Sequence, residues 1–157
     1  MTEPAFSADP ADEPLEPRLS YVVARLERAL RVTINDRVKP YGLTTPQYTT
    51  LSILGLRGEL SNAQLARRAY ITPQSMSEVM EGLETKGLVA RTAHPNHRRV
   101  FPAVLTPKGR RVLEACNAAV DELEHEMLAE LSAAQVESLH RGLVSAVRAL
   151  RAGFPRR

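Results

Sequence analysis

Apolar residues in this chain recur at three- and four-residue steps along most of its length and alternate in only one place. Over residues 18–39, Leu19, Val22, Val23, Leu26, Leu30, Ile34 and Val38 form one stripe, which predicts an amphipathic helix ended by Pro40 and Gly42. Thr44-Thr45-Pro46 predicts a second start, with a hydroxyl N-cap and proline at the first helical position, where no amide donor is missed. Tyr48, Leu51 and Leu54 give that helix its inner face, and Gly55 to Gly58 are expected to close it. Ser61 and Gln64 stand at capping-box spacing and open a short helix with Leu65 and Ala69 inside and Arg67 and Arg68 outside. Thr72-Pro73 repeats the cap-then-proline signal, and Met76, Val79, Met80 and Leu83 then follow at i, i+3, i+4 and i+7. Lys86 and Gly87 supply a cation for the last turn and a C′ glycine. Two short helices separated by so tight a turn have the sequence form of a helix-turn-helix.

The alternating stretch is "VARTAHPNHRRVFPAVL", residues 89–105. It predicts strands over 88–93 and 100–105, with Pro102 restricting the second to a sheet edge. Thr106-Pro107 caps a further helix. Its apolar positions Leu113, Cys116, Val120, Leu123 and Met127 step by 3, 4, 3 and 4, the spacing of helices packed along their length. That spacing serves equally well within one subunit or between two. Ser132 and Gln135 form a second capping box, and the last helix runs to about residue 151 with Val136, Leu139, Leu143, Val147 and Leu150 inside.

Charge sharpens this outline. The first seventeen residues hold four prolines, five acids and no base, a composition read as a disordered tail and not as a secretory or transit signal. Residues 18–157 carry 21 bases against 13 acids, and residues 57–111 alone carry ten bases against four. Residues 112–137 hold seven acids and no base. A basic middle beside an acidic helix points to an anionic partner that meets only part of the molecule. No apolar run approaches the roughly 20 residues that cross a bilayer, so no membrane partner is expected. A single cysteine, Cys116, allows no intrachain disulfide and suits a reducing cytoplasm.

An isolated hairpin is marginal in water, so this one must lean on the helices before it. Its tip, Asn96, His97, Arg98 and Arg99, cannot be buried without partners that so small a core cannot supply. The two arginines are either solvated charges at a turn or groups that enter the electronegative minor groove of DNA. Their place directly after the helix pair favours the groove.

At this point the chain resembles the MarR family of winged helix-turn-helix transcriptional regulators. The residues that carry the resemblance are "LTTPQYTTLSIL" (43–54), "LSNAQLARRAYITPQSMSEVMEGLETKGLVAR" (60–91) and "HPNHRRVFPAVLTPKGRR" (94–111), together with the capping box before the last helix. The resemblance implies a mainly α fold with a small β-hairpin wing. Residues 43–111 would form a winged helix-turn-helix DNA-binding domain, and residues 18–42 and 112–157 a helical dimerisation region. It further implies a homodimer that binds double-stranded DNA at a pseudo-palindromic operator, represses transcription, and is released by a small aromatic or lipophilic ligand. No cofactor is implied.

Residue by residue, recognition should fall on Thr72, Gln74, Ser75, Ser77 and Glu78. Glutamine can bond adenine bidentately, serine can reach either kind of base, and glutamate can accept from cytosine N4. Thr72 doubles as a cap whose amide end could hold a phosphate. The wing contributes His97, Arg98 and Arg99, with Arg99 matching the family's groove-inserting arginine. Phosphate contacts are expected from Arg67, Arg68, Arg91, Lys108, Arg110 and Arg111. Two departures from the family pattern matter. His97 replaces the wing motif's aspartate, which puts a carboxylate brace, for instance to Arg91, in doubt. Glu78 stands where many members carry a base.

The family's effector site lies between the dimer helices and the DNA-binding lobe, which brings Tyr21, Arg25, Tyr41 and Tyr48 into range. Tyrosines at such junctions are otherwise core residues with a wet hydroxyl. Cys116, between Leu113 and Val120, reads as a small buried hydrophobe in preference to a redox switch. His94 and His97 sit on a turn without cysteine or carboxylate neighbours, and His125 and His140 would need partners brought in by folding, so no metal is expected. A protein-binding winged helix is the alternative to a DNA-binding one, and the basic central segment argues against it. No glycine-rich phosphate loop, nucleophile elbow or metal-ligand spacing supports an enzyme.

Overall fold

The computed structural model describes residues 17–92 and 101–150; the tail and the hairpin tip, with His94, His97, Arg98 and Arg99, lie outside the described residues. The elements follow in the order α1 (Leu19–Val38), a 3-10 turn (Lys39–Tyr41), α2 (Thr45–Arg57), α3 (Asn62–Ala69), α4 (Pro73–Thr85), β1 (Val89–Arg91), β2 (Ala103–Leu105), α5 (Pro107–Leu128) and α6 (Ala133–Ala149).

Hydroxyl caps set the helix starts. Thr44, Ser61, Thr72, Thr106 and Ser132 each accept a hydrogen bond from the backbone amide three residues on. Each such cap stabilises its helix by about 1 kcal/mol. At α2 the box is completed by Gln47, a pairing not anticipated from sequence, and Pro46 falls at the second helical position instead of the first. Gly55 does not close α2. It lies inside the helix, where a Cβ would sit 2.6 Å from Leu113 Cδ2, so its missing side chain lets α2 and α5 approach. Gly58 is the C-cap.

α2 is the hub, in contact with α1, α3, α4, α5 and β2. Leu51, Leu54, Leu65, Met76, Met80 and Leu83 are buried to 2% exposure or less around it. Burying such side chains stabilises the fold by roughly 1.5–3 kcal/mol apiece. The fully buried Thr50 is satisfied by donating to the Pro46 carbonyl at 2.8 Å.

The strand pair is antiparallel, with Val89 opposite Leu105 and Arg91 opposite Ala103. It is shorter than expected, and in this two-stranded sheet β2 lies at an edge, as Pro102 predicts, apart from one isolated bridge. Ala103 is bridged on its other side to Leu60, through reciprocal backbone bonds of 3.2 and 2.8 Å. Pro102 tolerates its place because it precedes the strand and offers only its carbonyl, which accepts from Thr92 N at 2.9 Å.

α5 is held at both ends. Near its start, the Thr106 amide donates to Leu88 O at 3.1 Å, and a Cβ at Gly109 would overlap that same carbonyl. Near its end, Arg37 of α1 donates to both carboxylate oxygens of Glu126 at 2.9 Å and approaches Glu122 at 3.6 Å. These acids form a staple between helices as well as an exposed face.

α6 departs from expectation. Val136, Leu143 and Val147 are only partly covered, Leu139 is exposed, and none of its residues is buried. Leu150 lies beyond its end at 81% exposure. Among the described residues, nothing fully covers the apolar stripe that periodicity assigned to the inside. No helix among the described residues is long and apolar enough to cross a membrane.

Candidate nucleic-acid interface and effector pocket

The helix-turn-helix is α3 and α4. Tyr70, at φ 55°, takes the left-handed position that ends α3, and two residues later Thr72 caps α4. A side-chain lock fixes the angle between them. Asn62 Nδ2 donates to Ser77 Oγ at 3.1 Å and to Pro73 O at 3.4 Å, while Ser77 Oγ donates to Pro73 O at 2.9 Å. With Met76, Met80 and Leu83 turned into the core, the opposite face of α4 offers Gln74, Ser77, Glu78 and Glu81 to solvent.

The expected recognition residues therefore divide. Ser75 Oγ accepts from Thr72 Oγ1 at 3.0 Å, so Thr72 and Ser75 are engaged in the cap. Ser77 is engaged in the inter-helix lock. Gln74 and Glu78 are exposed, and Glu78 makes no ion pair among the described residues.

The expected phosphate contacts divide in the same way. Arg67, Arg110 and Arg111 are exposed and unpaired among the described residues. Arg68 is half-buried instead of outward, and its buried Nε has no hydrogen-bond partner among the described residues. Lys108 Nζ donates to Lys86 O at 2.8 Å, joining α5 to the end of α4. Arg91 Nε donates to Glu84 Oε1 at 2.6 Å, and Arg91 Nη1 donates to Phe101 O at 3.2 Å. The carboxylate that steadies the strand root thus comes from α4, seven residues before Arg91. The signal was one acid among several on a helix, and only folding selects it.

The far end of α4 is tied down as well. Lys86 Nζ donates to Gly42 O at 2.5 Å and to Gln47 Oε1 at 2.8 Å. Gln47 also packs against Gly82, where a Cβ would lie 2.7 Å from its Nε2. The start of α2 and the end of α4 are therefore tied together.

An open cavity of about 560 Å³ lies where α1, α2, the α3–α4 turn and α6 meet. Its walls are apolar: Leu26, Leu30 and Ile34 from α1, Pro46 from α2, Ile71 from the turn, and Leu143 and Val147 from α6. The charged exceptions are Glu27 and Arg31, 3.5 Å apart. None of the four expected effector residues lines it. Tyr21 stacks under Arg25 at 5.8 Å, and Tyr41 is exposed. Tyr48 donates to Asn117 Oδ1 at 3.0 Å, and burial pushes its hydroxyl pKa up. The lining residues had been legible only as inner stripes of two helices, which in sequence look the same as core.

Cys116 is fully buried, and burial pushes its thiol pKa up, away from the reactive thiolate. Among the described residues, no group of three or more His, Cys, Asp or Glu is placed to hold a metal ion.

Comparison with known proteins bears on this arrangement. A family model described as "MarR family" matches residues 41–100. The HTH-type transcriptional repressor Rv2887 of Mycobacterium tuberculosis is 38% identical over 125 residues, covering 80% of this chain and 90% of its own. The crystal structure of the M. tuberculosis protein Rv2887 in complex with DNA superposes with a TM-score of 0.70 at 34% identity, over 83% of this chain and 98% of that one. Its complex with salicylic acid gives a TM-score of 0.69 at 36% identity, over 84% and 98%.

Proposed function

The chain belongs to the MarR family, and from that premise we propose that it is a homodimeric, cytoplasmic transcriptional repressor without enzymatic activity. The single observation that carries the DNA-binding reading is α4, capped, locked to α3, and presenting a polar stripe opposite its methionine and leucine core. α4 enters the major groove with Gln74 and Glu78 toward base edges. His97, Arg98 and Arg99, outside the described residues, serve the adjacent minor groove. Arg67, Arg110 and Arg111 contact phosphates, while Arg91 and Lys108 position the wing root and α5. The uncovered apolar faces of α1 and α6 pair with those of a second copy, so that residues 18–42 and 112–157 form the dimerisation region and residues 43–111 the reading head.

The cavity between head and terminal helices takes a small aromatic acid. Its apolar walls suit the ring, and Arg31 suits the carboxylate. The relative's complex with salicylic acid supports this chemistry.

Footprinting on the DNA flanking the protein's own gene tests the whole reading. Two protected half-sites centred about 10 base pairs apart are expected, set by one helical turn. Binding should weaken steeply with added salt and on titration with salicylate. Salt-insensitive retention, or no protection on any duplex, would overturn it.

A further inference from the structure

We propose that Glu78 is the residue by which this protein selects a cytosine in each half-site. The inference rests on the reading of α4 as the helix in the major groove and adds to it which base is read and by what.

Three observations converge on Glu78. First, of the other candidates at α4 only Gln74 is also free, and the rest are engaged inside the protein. Thr72 and Ser75 close the cap, and Ser77 is held between Asn62 and Pro73. Secondly, Glu78 is exposed and unpaired among the described residues, whereas Glu84 on the same helix is neutralised by Arg91; Glu81 is exposed as well but lies nearly a turn further from the capped start of α4. Thirdly, α4 carries no lysine or arginine at all, and Lys86 just beyond it is turned inward to Gly42 and Gln47. No cation on α4 therefore offsets Glu78, and a carboxylate brought toward phosphates gains only from hydrogen-bond donors that it meets.

Major-groove chemistry then decides the base. Guanine offers two acceptors, and thymine an acceptor and a methyl group. Each would leave a desolvated carboxylate unpaired, which penalises the wrong partner more than it rewards the right one. Adenine offers a donor, but its N7 acceptor lies beside it and repels the second carboxylate oxygen. Cytosine offers N4–H2 with no acceptor on the same base edge, and is the best match. Gln74 lies one turn before Glu78, about 6 Å along the helix, or roughly two base-pair steps. It can read its own base independently.

The test is selection of operators from a randomised duplex library by the full-length protein, followed by mobility shifts, with Glu78→Gln and Glu78→Ala alongside. The wild type should fix cytosine at one position per half-site and prefer it over guanine there by about tenfold or more. Both variants should reduce that preference to within about twofold, leave the other positions fixed, and bind random duplex more tightly than the wild type. Because the exposed Glu78 side chain makes no ion pair among the described residues, melting followed by circular dichroism should be unchanged. The inference is overturned if the fixed cytosine survives in both variants, or if that position is adenine or unselected in the wild type. If the wild type enriches no sequence, the DNA-binding reading itself falls, a result distinct from a selected operator that ignores Glu78.

Discussion

Within one chain, the reading head and the terminal helices make opposite use of the same residue types. In the head, leucines and methionines at three- and four-residue spacing vanish from solvent: Leu51, Leu65, Met76, Met80 and Leu83 are fully buried. In α6 the same spacing leaves no residue buried, and the first half of α1 leaves Leu19, Tyr21, Val22 and Val23 exposed. Periodicity therefore reports that a face is to be covered and says nothing about by what. The head covers its own faces. The terminal helices leave theirs uncovered among the described residues, which is where the proposed dimer would place a second chain.

That contrast can be broken experimentally, beginning with the largest effect. Gly109→Val should unfold the head in urea, with a loss of about 4 kcal/mol or more, because the new side chain meets the Leu88 carbonyl and neither backbone can yield. Leu51→Ala should lower stability by about 3 kcal/mol at any protein concentration. Leu139→Ala in α6 should cost under about 1 kcal/mol in dilute solution, with an effect on melting that depends on concentration. If both truncations behaved alike, the distinction between the regions would fail.

Within the head, Glu84→Gln should weaken DNA binding severalfold by freeing Arg91. Its effect on stability should stay below about 1 kcal/mol, because both partners are over a third solvent-exposed. The smallest effect concerns pH. Burial raises the Cys116 thiol pKa, so the folded protein keeps a proton that the unfolded chain loses above about pH 8.5. Stability from this source is complete below that pH and declines as pH rises through it. Cys116→Ala should flatten the alkaline limb of the denaturation profile by a fraction of a kcal/mol, and the wild-type thiol should resist iodoacetamide at pH 8.

What was legible in sequence follows the range of the interaction. Caps and helix stripes are local, so the helix order and five helix starts could be read directly, from Thr44 to Ser132. Contacts between distant segments could not. Leu60 contributes one bridged residue to the sheet, too short for any alternation to register. Gly55 looks the same as a stop signal until Leu113 is found against it. Lys108 and Arg91 count as cations in a tally of charge, but their tips are bound to Lys86 O and to Glu84. Arg91, the partner suggested for the wing carboxylate that His97 replaces, bonds instead to Glu84 of α4, a residue that no spacing rule singled out.

The two anchors of α5 give that helix a mechanical character. Glu126, gripped by Arg37, and Gly109, seated on the Leu88 carbonyl, are separated by roughly 26 Å of rigid rod. With backbone against backbone at the Gly109 end, a tilt of the whole helix at the Arg37 end would carry to the strand root. A swing of about 7° displaces the strand root by about 3 Å, close to the rise of one base pair. The spacing between two reading heads would then be set by leverage, and a small adjustment among the terminal helices would be enough to put them out of step with the duplex.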